Sequence, residues 1–391
     1  MSSTQMTMAE ARAHDRKRWL WPMGFGIIIF VALCALGGWW FGFTPLIFMG
    51  PIMVYGLVPA LDFLIGKDST NPPERVLDIL EHDAYYRYST YLFVVLQFVL
   101  VIAVSAIVGL ADLTWGQWLG FVTTMGMLSG IGINTAHELG HKNTRVESWL
   151  AKIALAPVAY GHFYVEHNFG HHKRVATPED PASSRLGESF WAFLPRTVVG
   201  SVRSAWAVEA RRMQRKRRSV LSIHNEVLQS WGMTVVLWAA LVAAFGVGVL
   251  PFLILQAIIG SSLLEAVNYS EHYGLLRAKD DKGRYERCRP EHSWNNDHIV
   301  TNIFLFHLQR HSDHHAHPTR RYQSLRHFDE APELPTGYAG MIVLSYFPPL
   351  WFKVMDKRVV DHYDGDVRRA NIQPGQRARI FAKFPPPPET A

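Results

Sequence analysis

Residues 115–142 read WGQWLGFVTTMGMLSGIGINTAHELGHK. Residues 115–136 carry no charge, and a helix needs about 20 apolar residues to cross the ~30 Å hydrocarbon core of a bilayer, so this stretch predicts a membrane span. Gly126, Ser129, Gly130 and Gly132 within it would allow close helix packing. The span runs directly into HELGHK, where His137 and His141 stand four residues apart and share one helical face, able to grip one metal. Taken alone, the same motif fits the HExxH of a zinc protease with Glu138 as general base.

Working outward, five more apolar blocks of similar length occur, at about residues 21–40, 43–65, 91–110, 231–250 and 252–269. The second contains Asp62 near its end, and the last contains Glu265 and Asn268. Mean hydropathy is only +0.02, but charged residues make up 18%, against about 25% in a typical soluble protein. Charge-free and charge-dense blocks therefore alternate, which excludes an ordinary soluble enzyme. The fold class expected is all-α: a multi-pass integral membrane protein with about six transmembrane helices and a histidine-rich cytoplasmic region. Three parts follow: an N-terminal tail (1–20), one membrane-embedded domain (21–360) and a C-terminal tail (361–391) that is Pro-rich at 385–388.

Basic residues set the orientation, because Lys and Arg accumulate on the cytoplasmic side. Four lie before the first span, 3 between spans two and three, 14 between spans four and five, and 18 after span six, which is all 39. Both termini and both long polar segments are thus expected on the cytoplasmic side of the membrane. The net charge of +6 and the basic run 211–218 then report topology, lipid contact or an acidic partner rather than nucleic acid. The first apolar block exceeds a signal-peptide core, so it should remain in the protein.

Nineteen histidines are the other excess, and nine fall into groups. Besides His137 and His141, EHNFGHH supplies His167, His171 and His172, NYSEHYGL supplies His272, and LQRHSDHH supplies His311, His314 and His315. On an α-helix His167 and His171 would share a face with His172 turned about 100° away toward a second ion, while His311, His314 and His315 would project together. Nine imidazoles are too many for one ion and suit two, and imidazole alone leaves Fe, Cu, Zn and Ni open. Glu138, Glu166, Glu271 and Asp313 stand beside these groups as partners for outer ring N–H groups, unless they cap helices or pair with Lys142, Lys173 or Arg310. Glu265 and Asn268 form a polar face with His272, and acidic groups at membrane depth are functional candidates. Val54, near the middle of the second block, is a candidate for setting the depth of a substrate channel.

HxxxH, HxxxHH and HxxHH in a multi-pass chain resemble the membrane-bound fatty acid desaturase/hydroxylase superfamily of non-haem diiron enzymes. HELGHK at 137–142, EHNFGHHKRVATPEDPASSR at 166–185, NYSEHYGL at 268–275 and LQRHSDHHAHP at 308–318 together resemble the alkane 1-monooxygenase family, the AlkB-type alkane hydroxylases, from the first span to about residue 360. The resemblance implies terminal hydroxylation of medium-chain n-alkanes by O2 at two irons held by the nine histidines. It also implies two electrons from rubredoxin, reduced by an NAD(P)H-dependent rubredoxin reductase. Independently, Cys34 and Cys288 are too few for a four-cysteine iron centre, so any such centre must lie on another chain. The rivals are a fatty-acyl desaturase or a xylene-type hydroxylase of the same superfamily, and more remotely the zinc protease, which would leave most of the nine histidines idle.

Overall fold

The computed structural model describes residues 6–388. Helix dominates, and no strand occurs among the described residues, only isolated bridges. The long elements are α1 (Met23–Trp40), α2 (Thr44–Ile65), α3 (Ala84–Leu110), α4 (Trp115–Gly140), α5 (Phe190–Arg215), α6 (Glu226–Phe245) and α7 (Val249–Glu271).

Five of these, α1, α2, α3, α6 and α7, are long and apolar enough to cross a membrane. This adjusts the expected count of about six: α4 is long enough but is not among them. The reason lies in its Gly, Ser, Thr and Asn content, which lowers its mean hydropathy. Every residue from Thr124 to Leu139 is buried, so α4 is the central helix, enclosed by protein, and its Gly, Ser, Thr and Asn side chains meet neighbouring helices. A Cβ on Gly126 would stand 2.6 Å from Ile259, and one on Gly130 would stand 2.9 Å from the Gly260 carbonyl oxygen. These glycines let α4 and α7 approach until backbone meets backbone.

Helix ends also depart from the apolar blocks. α3 begins at Ala84 rather than 91 because Asp83 caps it, and α6 runs Glu226–Phe245 rather than 231–250, capped by Asn225 and stopped by Gly246 at φ +89°. Hydropathy marks the lipid-contacting part of a helix, whereas capping marks where the helix starts.

The second block is not one regular helix. It is a 3₁₀ turn (Thr44–Phe48), a short α segment (Met49–Ile52), a π-helical turn (Met53–Leu57) and a final α segment (Val58–Ile65). Pro51 and Pro59 remove the N–H groups that would bond Ile47 and Tyr55. Thr124 repairs the first gap: its hydroxyl donates to the Ile47 carbonyl, and the same oxygen accepts the Gly50 N–H. Asp62, buried at the far end, accepts from the backbone N–H and hydroxyl of Thr301 and so caps helix Ile299–Phe304 across the fold.

Neither expected tail is free where it is described. Helix Met8–Ala13 docks through Arg12 on Asp83, and Asp15 accepts from the Trp21 indole and the Tyr86 hydroxyl. At the other end Asn371 bonds Leu186 and Gly274, helix Arg377–Lys383 buries Ile380, and Lys383 pairs with Asp356. Residues 1–5 and 389–391 of those tails lie outside the described residues. Between α4 and α6 the basic run 211–218 lies at the C-terminal end of the 26-residue α5.

Replacing Gly126 by Leu should cost about 1–3 kcal/mol by forcing α4 and α7 apart. In detergent, thermal unfolding of Gly126→Leu is expected several degrees below wild type. Gly37→Ala, whose added methyl meets nothing within 4 Å, should unfold with the wild type.

Candidate metal centre

Four separate elements deliver the histidines to one place. His137 and His141 come from the end of α4, His272 caps α7, His167 and His171 lie in the π-helical turn Glu166–His171, and His311, His314 and His315 lie on the short helix His311–Ala316.

They sort into two groups. His137, His141, His167 and His314 each offer a ring nitrogen, and these nitrogens lie within 4.8 Å of one another; His171, His272, His311 and His315 do the same. His172 sits against the first group, its Nε2 3.1 Å from the Nε2 atoms of both His167 and His314. Its ring also lies 4.4 Å from that of His315, so it bridges the groups.

Two helix-based expectations are corrected. In an α-helix His167 and His171 would share a face, but a π turn has i→i+5 bonding, which brings residues five apart into register. His167 therefore meets His172, and His171 is the one sent to the second group. On helix His311–Ala316, His311 and His315 stay together, while His314 points to the first group, because positions 314 and 315 are about 100° apart on the wheel.

The ring nitrogens are close together. His137 and His314 approach to 3.0 Å, His272 and His311 to 3.1 Å, and His311 and His315 to 3.0 Å, all through Nε2. Adjacent corners of an octahedron with metal–nitrogen bonds of about 2.1 Å stand about 3.0 Å apart. Nε2 of His141 and of His171 is buried with no hydrogen-bond partner. Burial first, and the neighbouring imidazoles second, hold His167, His311, His314 and His315 well below the usual histidine pKa. Neutral, converging imidazoles with orphaned inner nitrogens fit a non-haem metal centre.

The outer nitrogens show what positions the rings. Asp180 accepts from His171 Nδ1 at 2.8 Å, and the backbone carbonyl of His292 accepts from His272 Nδ1 at 3.0 Å. Burial would raise the Asp180 carboxyl, but His171 and the Ser183 hydroxyl hold it at about 2. Asp180 was not singled out in the sequence; its only signal is an acidic residue in the turn ATPEDP just after the HH pair.

The carboxylates expected beside the histidines mostly act elsewhere. Glu138 pairs with Lys142 at 3.0 Å and accepts the Tyr322 N–H. Glu166 pairs with Arg174 at 2.7 Å. Glu265 accepts from Tyr160, Thr197 and Asn268, and Asp313 holds His317, Arg320 and the Arg326 N–H. Glu271 alone of the six candidates touches a clustered ring, its Oε2 lying 3.3 Å from His311 Nε2 on the side where the inner nitrogens converge. His307, one turn before His311, is engaged by Lys17 and the Tyr322 carbonyl.

An apolar pocket adjoins this place. It offers about 60 Å³ of cavity among Ile27, Val54, Val58, Ile131, Leu263 and Ile342. Val54, 8% exposed, is part of its wall because the π turn of α2 turns it inward. Asn134, Leu264, Val267 and Leu308 border both the pocket and a smaller chamber that touches His137, His167, His311, Asn268 and Glu271.

Residues 113–345 match the family model described as fatty acid desaturase. The chain is 48% identical over 377 residues to the alkane 1-monooxygenase of Acinetobacter baylyi, covering 95% of this chain and 92% of that one. It is 45% identical over 373 residues to the alkane 1-monooxygenase of Pseudomonas putida, with the same coverage. A more distant similarity, 28% over 268 residues, is to the hydroxylase component of a xylene/toluene monooxygenase from Pseudomonas putida, covering 68% of this chain and 70% of that one.

Asp180→Ala should release the His171 ring and weaken metal retention about 10- to 100-fold. Elemental analysis after dialysis against graded chelator checks this. Asp313→Asn, which acts on His317 and Arg320, should retain metal near the wild-type level.

Proposed function

Because the chain belongs to the alkane 1-monooxygenase family, it is a membrane enzyme that hydroxylates alkanes at the terminal carbon, and we propose that it does so at two histidine-bound irons with electrons from reduced rubredoxin. The observation that carries this reading is the pair of adjoining four-histidine groups beside an apolar pocket. His137, His141, His167 and His314 would hold one iron, His171, His272, His311 and His315 the other, and His172 would complete the set from between them.

An alkane offers no charge, dipole or acidic proton, so general acid–base or nucleophilic groups have nothing to act on. Iron supplies the oxidising power: with O2, two electrons and two protons, one oxygen atom enters the C–H bond and the other leaves as water. The protein must therefore place a methyl group at the metal and keep competing chemistry out. A pocket of branched aliphatic side chains does this by shape, and it takes up alkane because apolar burial is favourable there. Val54 lies in that wall and is the position at which we expect chain length to be limited.

Two further parts of the reading concern delivery. Among 391 residues only Cys34 and Cys288 are cysteines, which supports a separate rubredoxin, itself reduced by an NAD(P)H-dependent reductase, as the electron source. The ends of α4 and α7 that carry His137, His141 and His272 are the ends followed by the basic segments. This supports a bacterial inner-membrane protein whose metal centre faces the cytoplasm. The zinc-protease alternative is disfavoured by Glu138, whose carboxylate is taken up by Lys142 and a backbone N–H.

Purified protein supplied with rubredoxin, its reductase, NADH and O2 should convert medium-chain n-alkanes to 1-alkanols and contain about two irons per chain. No turnover of any alkane with iron intact would overturn the reading. His137→Ala and His315→Ala are expected to lose both metal and activity. Val54→Trp should shorten the longest alkane accepted while leaving the metal content unchanged, as gas chromatography across an alkane series would show.

A further inference from the structure

The pocket contains one polar group that an alkane cannot use. Of the side chains lining it, only Thr301 and Asn134 have hydrogen-bonding atoms, and Thr301 is committed to Asp62 through both its hydroxyl and its N–H. Asn134 lies on α4 one turn before His137, is 4% exposed, and borders both the pocket and the histidine chamber. Its Nδ2 donates to the Leu305 carbonyl at 2.8 Å. A carbonyl can only accept, so this contact fixes the amide with its NH2 toward Leu305 and its Oδ1 turned the other way. Oδ1 accepts no hydrogen bond from any described residue.

An amide oxygen that borders the apolar pocket without a protein donor gains a hydrogen bond from any ligand that can supply one. Neither an n-alkane nor O2 has a donor to offer it. The first species at the reacting end of the chain that does is the product, through its new O–H. We propose that Asn134 Oδ1 accepts the hydroxyl of the 1-alkanol, and that the site distinguishes product from substrate through this residue. Primary alcohols then occupy the pocket hydroxyl-inward, compete with alkanes, and bind more tightly than chains of equal length whose end group cannot donate. Only hydrogen bonds are exchanged in this step; no electron or proton is transferred. The proposal rests on the alkane-hydroxylase reading given above.

Ligand-induced thermal stabilisation of the detergent-solubilised protein with 1-octanol and with 1-fluorooctane, corrected for partition into micelles, tests it. Both ligands carry a terminal heteroatom on eight carbons, but only the alcohol donates. Wild type should bind 1-octanol about tenfold more tightly, the worth of one hydrogen bond. In Asn134→Leu that preference should fall to about twofold or less, with the metal content unchanged. Equal affinity for the two ligands in wild type, or an alcohol preference that survives in Asn134→Leu, overturns the proposal. So does a parallel change in octane and octanol affinity, which would mean that Asn134 acts only by pinning Leu305. Asn134→Ala gives the same readout without added bulk if the leucine variant does not fold. Conversion of n-octane to 1-octanol by wild type is scored separately, so failure of the hydroxylase reading appears as missing product and not as a lost alcohol preference.

Discussion

Imidazole nitrogens 3.0–3.1 Å apart impose the central constraint on this fold. Two neutral rings can share one hydrogen bond, but several Nε2 atoms meeting at one point cannot all be satisfied by one another, and desolvation keeps them from becoming charged. Such an arrangement is stable only around a cation that accepts every lone pair at once. The elements that carry the rings must be held rigidly enough to keep that geometry, and much of the remaining structure does this.

The central position of α4 follows. A helix ending in two converging histidines has to be fixed in depth and rotation, and the enclosure of residues 124–139 fixes both. Glycines at 126, 130 and 260 bring α4 against α7, so that His137 and His272 leave neighbouring helix ends toward the same place. Lys142 and Glu138 join the last turn of α4 to the Tyr322 backbone, and Asp180 and His292 fix the outer edges of His171 and His272. The N-terminal helix and the C-terminal segment close over these loops, the latter bonding to Gly274 two residues beyond His272. The apolar pocket is the complementary requirement: its wall is aliphatic and aromatic except at Thr301 and Asn134, and Asn134 also borders the histidine chamber.

Much of this was legible in the chain. Uncharged blocks of about 20 residues marked the spans, since hydrocarbon tolerates no unpaired charge. Histidines at i, i+3, i+4 and i+5 marked the metal groups. What was not legible had local causes. The partition of His171 and His172 depends on a π turn, and a one-residue change in helical register is invisible to a pattern that assumes 3.6 residues per turn. Asp180 lies nine residues from the ring it orients, in a turn with no periodicity. Glu138, Glu166 and Asp313 stand beside histidines in sequence yet pair with Lys142, Arg174 and Arg320, because adjacency along a helix does not mean a shared face.

The sequence by itself determined the class of environment and of chemistry: which segments avoid water, which stretches carry the basic residues, and that nine imidazoles without matching cysteines call for metal but not for an internal thiolate centre. These are properties of side-chain type and linear spacing, which the chain carries unfolded. Only the tertiary structure decided which nitrogen meets which, that α4 is enclosed rather than lipid-facing, that the tails are docked, and that a single amide oxygen stands at the junction of pocket and chamber. Those depend on distances between segments far apart in the chain, such as His137 and His314, 177 residues apart, and such distances are fixed by packing and by backbone irregularities at prolines and π turns rather than by local propensity.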